Sequence, residues 1–180
     1  MLDLRKAFDN ERCGKKDFHA ELYEKLFAPR IHDHIRMLEI GVWHGESLRV
    51  WKKFFDSLTL YGIDMNSVAD IDESIATIFI GDTAWPKFMH NVAKAVKELD
   101  IVIDDGGHFS DDQQVAFEHL WPIVKSGGLY IVEDLWVAPD RVVGGCDFDT
   151  ITYLEKVDCK KEWYKGFNDF EKDICVLYKE

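Results

Sequence analysis

Five short apolar runs in this chain end in acids or glycines. The endings are Glu39-Ile40-Gly41-Val42-Trp43-His44-Gly45, Asp64, Gly81-Asp82, Asp104-Asp105-Gly106-Gly107-His108 and Glu133-Asp134. Open α/β sheets bind ligands outside the carboxyl ends of their strands. Five such endings therefore point to a cofactor crevice with a polar reaction centre beside it. Gly41 and Gly45 suit a strand-to-helix turn in which backbone approaches a ligand. Their G-x-x-x-G spacing is neither a dinucleotide fingerprint nor a phosphate loop, and it serves equally a tight turn needed for helix packing. Asp64 ends the next strand, about 23 residues on, near the offset at which an acid holds the hydroxyls of an adenosine ribose.

Asp105, Glu133 and Asp134 end strands that are neighbours in the usual strand order. Adjacent strands lie about 4.8 Å apart, so these carboxylates can grip one hard divalent cation, Mg²⁺ or Mn²⁺. Helix capping or pairing with Lys or Arg is the competing use. Successive strand residues face opposite sides, so Glu133 and Asp134 share an ion only where the chain turns. His108 follows Asp105 by three residues, in a Gly-Gly turn. It is either a general base suited to neutral pH or a polar loop histidine. His32 and His34 make a weak metal pair. His19, His44, His90 and His119 read as surface or packing residues, and Trp43, Trp51 and Trp121 as core or helix–sheet interface.

These residues need a scaffold of alternating strands and helices. Apolar spacing predicts helices over 17–28, 46–56 and 86–98. A further helix opens with a Ser110–Gln113 capping box and stops at Gly127-Gly128. Strands are predicted at 36–41, up to 64, at 77–82, 100–105 and 129–134, with two more at 150–157 and 173–180. The connector 65–75 is short for a crossover containing a helix, and 136–149 reads as a loop over the active edge. The expected fold is α/β: a doubly wound, seven-stranded, mostly parallel Rossmann-like sheet. Residues 1–180 read as one domain. Within it, 1–30 form a helical N-terminal segment and 136–180 a short loop plus strand pair.

Composition agrees with this frame. A chain of 180 residues with 47% hydrophobic residues is long enough for one real core. Its 22 basic and 34 acidic residues leave a net charge of −12, which lacks the basic footprint of a nucleic-acid binder. No apolar run approaches the ~20 residues that cross a bilayer, and the first residues lack a signal-peptide core. Four cysteines without CxxC spacing read as reduced thiols of a cytoplasmic protein.

The segments LEIGVWHGESL (38–48), YGID (61–64), IGD (80–82), IDDGGH (103–108) and GGLYIVEDL (127–135) together resemble class I S-adenosylmethionine-dependent methyltransferases. More narrowly they resemble the metal-dependent sugar O-methyltransferases of macrolide biosynthesis, of the mycinamicin VI and demethylmacrocin type, with cephalosporin hydroxylase-like proteins as relatives. The resemblance implies S-adenosyl-L-methionine as cofactor, held by Glu39, Gly41, Gly45, Ser47, Asp64, Gly81, Asp82 and Asp104. It implies Mg²⁺ (or Mn²⁺) on Asp105, Glu133 and Asp134, with His108 as catalytic base. The acceptor it implies is a small hydroxylated molecule, a sugar or glycoside, and homo-oligomers are common among such enzymes. The family's Asp-Asp-Gly-Ser-His turn carries Gly107 here in place of serine. A nicotinamide oxidoreductase, a metal-dependent hydrolase and a non-catalytic cofactor-binding protein are the competing readings.

Overall fold

The computed structural model describes residues 2–66, 71–143, 146–166 and 169–180. Seven strands form one sheet: β1 (His34–Ile40), β2 (Ser57–Asp64), β3 (Thr77–Ile80), β4 (Leu99–Asp104), β5 (Val124–Val132), β6 (Lys160–Tyr164) and β7 (Ile174–Tyr178). Their order is β3-β2-β1-β4-β5-β7-β6. Strands β1 to β5 pair in parallel, whereas β7 runs antiparallel to both β5 and β6. The central strands read as continuous apolar runs because helices cover both faces.

Alternation along the strands divides the core in two. Met37, Ile101, Ile103 and Ile131 face α1 (Leu4–Glu11), α2 (Asp17–Phe27) and α3 (Glu46–Phe54), packing on Phe8, Phe27 and Trp51. Leu38, Ile40, Val102 and Val132 face α4 (Pro86–Val96), α5 (Ser110–Leu120) and α6 (Thr150–Lys156), packing on Met89, Phe117 and Leu154. Pro86 sits in the first turn of α4, where a missing N–H costs nothing. Asp3 caps α1 by accepting the Lys6 N–H.

Three sequence expectations need correction. The predicted strand 150–157 is helix α6, opened by Asp149, whose carboxylate accepts the Thr152 N–H. Its β-branched residues imitate a strand, but Thr150 and Leu154 are the buried pair, at helical spacing. The strand beside β7 is instead Lys160–Tyr164, a charged segment without an apolar run, as befits a sheet edge. Gly127-Gly128 lies within β5 rather than ending a helix, since α5 stops at Leu120 and passes through a 3-10 turn at Trp121–Ile123. Ser110 is the first residue of α5, not its cap; its hydroxyl instead accepts the Val143 N–H at 2.8 Å. The expected connector 65–75 falls partly on residues 67–70, and the expected loop 136–149 partly on 144–145, outside the described residues.

The register brings the strand ends level. Ile40 pairs with Ile63 on one side and Asp104 on the other, and Asp104 pairs with Val132. The next residues, Gly41, Asp64, Asp105 and Glu133, therefore form one row at the carboxyl edge. The Gly41 N–H donates to the Ile63 carbonyl and the Asp105 N–H to the Ile40 carbonyl. A Cβ on Gly41 would lie 1.9 Å from the Asp105 carbonyl oxygen, and the residue has φ +84°. Glycine is required here by the neighbouring strand end itself, so the crevice opens just beyond it.

Gly41→Ala should lose about 3 kcal/mol of stability, from left-handed strain plus the collision. Gly127 is also left-handed but has open space around its missing Cβ, so Gly127→Ala should lose only about 1 kcal/mol. Urea denaturation of both variants checks the contrast; equal losses would show that the close approach is not rigid.

Candidate active site

A cleft of about 850 Å³ opens along this edge. Of the expected site residues, Gly41, Ser47, Asp64, Gly81, Asp105, His108, Glu133 and Asp134 line it. Glu39, Gly45, Asp82 and Asp104 do not. Gly45 is left-handed and caps α3, and Asp82 turns its carboxylate onto the Ala84 N–H. Asp104 points to the opposite face of the sheet, buried beside the Tyr130 hydroxyl; burial raises its pKa to about 7. Glu39 is fully buried, and one of its oxygens accepts both the Ser47 hydroxyl and the Trp51 indole N–H at 2.9 Å. Burial pushes its carboxyl above the ordinary value, against the pull of Lys15.

On the β2 side, Asp64 is fixed by two backbone donors. One oxygen accepts the Trp43 N–H at 2.9 Å and the other the Asn66 N–H at 2.8 Å. Trp43 is left-handed (φ 52°), which throws its indole out of the turn to stand 74% exposed at the mouth of the cleft. Met65 is exposed beside it, and Trp136, beyond β5, is exposed where it too lines the cleft.

On the other side lies the acidic centre. Asp105 follows β4, while His108 and Asp134 both take left-handed conformations (φ 60° and 54°). Those two turns break the strand alternation and bring the side chains inward. Among the described residues, Asp105, His108 and Asp134 each offer a ligand atom within 4.8 Å of the others. His108 Nε2 stands 3.6 Å from Asp134, and its Nδ1 is buried without a hydrogen-bond partner. Burial draws the imidazole below its ordinary pKa, against the opposing pull of Asp134 and Glu133. The two carboxylates suit a small divalent cation, and the imidazole stands beside them. At Gly107 the space of a side chain is filled by Asp112, whose oxygen would lie 2.3 Å from a Cβ.

Glu133, expected beside Asp105 and Asp134, is not part of that convergent group. It is buried and turned toward the face covered by α1 and α2. One oxygen takes the Lys15 ammonium at 2.7 Å and the Tyr23 hydroxyl; the other lies 3.1 Å from His19 Nε2. The Lys16 N–H donates to His19 Nδ1, which leaves the ring proton on Nε2, facing Glu133. Burial would raise the Glu133 carboxyl, but Lys15 and His19 outweigh it and hold it well below the ordinary value. Lys15, His19 and Tyr23 were not singled out by motif reasoning. The available signal was spacing: His19 and Tyr23 lie four apart on the buried stripe of a predicted helix.

The chain is 37% identical over 145 residues to mycinamicin VI 2''-O-methyltransferase of Micromonospora griseorubida, covering 77% of this chain and 36% of that protein. It is 34% identical over 145 residues to demethylmacrocin O-methyltransferase of Streptomyces fradiae, covering 77% and 37%. A solved structure of the MycE methyltransferase from the mycinamycin biosynthetic pathway, in complex with Mg, SAH and mycinamycin VI, superposes with a TM-score of 0.84 at 28% identity, over 99% of this chain and 54% of that one. The chain thus spans little more than a third of the curated relatives' length. Residues 38–135, more than half of the chain, match the methyltransferase domain model, and the chain belongs to that family.

Proposed function

We propose that this chain transfers a methyl group from S-adenosylmethionine to a hydroxyl of a small acceptor, a sugar or glycoside, with a divalent cation and a histidine base. The observation that carries this reading is the convergence of Asp105, His108 and Asp134 on the wall of the cleft. Gly41 and Asp64, the residues suited to a nucleoside, line the same cleft. The family assignment and the activities of the relatives support it.

The cofactor supplies a methyl group already activated on a sulfonium, and Mg²⁺ or Mn²⁺ beside a hydroxyl makes its proton easier to remove. The chain's own residues do the rest. Asp64, pinned by two backbone N–H groups, keeps lone pairs for the two hydroxyls of a ribose. Asp105 and Asp134 would hold the cation and orient the acceptor. His108, neutral because it is buried, accepts the hydroxyl proton at Nε2, and Asp134 stabilises the imidazolium that results. The acceptor oxygen then bonds to the methyl carbon as the carbon–sulfur pair leaves with sulfur. Positioning supplies much of the rate, since the donor needs no further activation. The exposed apolar rim of Trp43, Met65 and Trp136 suits a sugar carried on an apolar body. Four unpaired thiols fit the reducing cytoplasm, and no helix among the described residues is long and apolar enough to cross a membrane.

Calorimetric titration with S-adenosylhomocysteine should show binding that Asp64→Ala weakens by about tenfold or more, from the loss of hydrogen bonds to a charged group. A folded protein that binds no S-adenosylhomocysteine would overturn the reading. In assays against a panel of glycosides, His108→Ala should lower kcat by roughly 10²–10⁴ while the S-adenosylhomocysteine affinity stays within a few-fold. Chelation should abolish turnover and leave cofactor binding largely intact. Full turnover in chelator would remove the cation from the mechanism.

A further inference from the structure

The order of strands reverses between β1 and β4, and open α/β sheets take their ligands at such a point. The segment between α1 and α2 passes over it. That segment is clamped at both ends. Glu11, the last residue of α1, binds Arg49 of α3 at 2.7 Å and also takes Lys53. Lys15 reaches Glu133 at 2.7 Å, Asp105 at 3.0 Å and Glu39 at 3.9 Å, which lays the segment across the ends of β1, β4 and β5. Arg12 caps α1 in a left-handed conformation (φ 60°), and its N–H donates to the Asp9 carbonyl at 3.1 Å. Glycine would take that cap without strain. The arginine there is exposed and lines the cleft, and strain of this kind gathers at ligand sites.

The Lys and Arg side chains of the cleft are Arg12, Lys15 and Lys16, set against six carboxylates. Lys15 is taken up by the strand-end acids. Among the described residues, the Arg12 guanidinium makes no ion pair or hydrogen bond. A cation left unpaired in so acidic a cleft is placed for an anion that the ligand brings. S-adenosylmethionine carries one anionic group, the carboxylate of its amino-acid chain, and a neutral sugar carries none. The place of that carboxylate follows from the sheet edge. Asp64 takes the ribose at the end of β2, and the methyl group must reach a hydroxyl beside His108, beyond β4. The sulfur and its amino-acid chain therefore lie over Gly41, at the end of β1, below the segment that carries Arg12. We propose that Arg12 binds the α-carboxylate of the cofactor, through two N–H groups of its planar fork. The proposal deepens the methyltransferase reading and rests on it. Lys16, exposed at the start of α2, offers a point charge without that fork and serves as the comparison.

Calorimetric titration of the intact chain with two ligands tests this without an activity assay. One is S-adenosylhomocysteine. The other is 5′-(3-aminopropylthio)-5′-deoxyadenosine, which keeps the ammonium and lacks the carboxylate. The parent should bind the amine about tenfold more weakly than S-adenosylhomocysteine. Arg12→Gly should weaken S-adenosylhomocysteine by about tenfold and leave the amine within about threefold, so that the two ligands become nearly equal. The same variant should melt at or above the parent's temperature, because glycine relieves the left-handed cap. Arg12→Lys should recover part of the lost affinity, and Lys16→Met should change either ligand by less than about threefold. Parental affinity for S-adenosylhomocysteine in Arg12→Gly would overturn the proposal. Equal weakening of both ligands would also overturn it, by showing that Arg12 only holds the segment in place. So would a loss in Lys16→Met as large as that in Arg12→Gly. If the parent binds the amine too weakly to measure, the S-adenosylhomocysteine series of the three variants decides alone. A folded parent that binds neither ligand would refute the methyltransferase reading itself, and the proposal with it.

Discussion

Parallel strands about 4.8 Å apart cannot carry an acid at each of three neighbouring ends without a cation among them. At that separation two like charges repel by roughly 3 kcal/mol even at an effective dielectric of about 20. Here Glu39, Asp105 and Glu133 share one face of one sheet edge, so the constraint is acute. Lys15 answers it, and the rest of the N-terminal region is arranged to deliver it. Phe8 and Phe27 pack against Trp51, anchoring α1 and α2 over the sheet so that the segment between them enters the acidic centre. Trp51 then returns an indole N–H to Glu39. Core packing and site electrostatics are thus one construction. An ammonium so deeply buried is tolerated only because the carboxylates surround it, and they raise its pKa well above the ordinary value despite burial.

The second requirement is to bring functional groups from both faces of the sheet into one cleft. Alternation sends Asp104 and Asp105 in opposite directions, and it would do the same to Glu133 and Asp134. The left-handed residues Trp43, His108 and Asp134 lift successive strand ends out of alternation. Such conformations cost roughly 1–2 kcal/mol each for residues other than glycine and persist only where surrounding structure fixes them. The surrounding structure is visible: the Trp43 N–H is held by Asp64, and the Leu135 N–H after Asp134 is held by the Asp173 carbonyl.

Much of this was legible beforehand. The parallel sheet followed from continuous apolar runs ending in glycine or acid, and the row Gly41, Asp64, Asp105 and Glu133 is the row those endings marked. What misled was local resemblance. Thr150 to Val157 carries strand-forming residue types, yet the signal that decides is Asp149 as a cap with Thr150 and Leu154 buried one turn apart. β6 had no signal, because an edge strand half in solvent needs no apolar run. Counting residues from Met37 would have put Glu39, Asp105 and Glu133 on one face and Asp104 on the other. The identity of their counter-ion was not legible, since Lys15 lies 90 residues from Asp105 and 118 from Glu133 in sequence and obeys no local period.

The loop beyond Asp134 is bonded to the turn that carries His108. The Arg141 guanidinium donates to the Gly107 carbonyl at 2.8 Å and stands over the Phe109 ring. The Ser110 N–H donates to the Arg141 carbonyl, and the Ser110 hydroxyl accepts from Val143. These bonds tie 141–143 to both sides of the left-handed His108 turn. Residues 141–143 therefore help to hold the imidazole in its conformation. Gly107 takes part through its carbonyl while Asp112 fills the side-chain space beside it, so a serine at this position would have to displace Asp112 before it could contact anything else. Variation in the loop would then also change the setting of the His108 imidazole. Trp43 and Met65, exposed where they line the cleft, carry no such tie to His108 among the described residues.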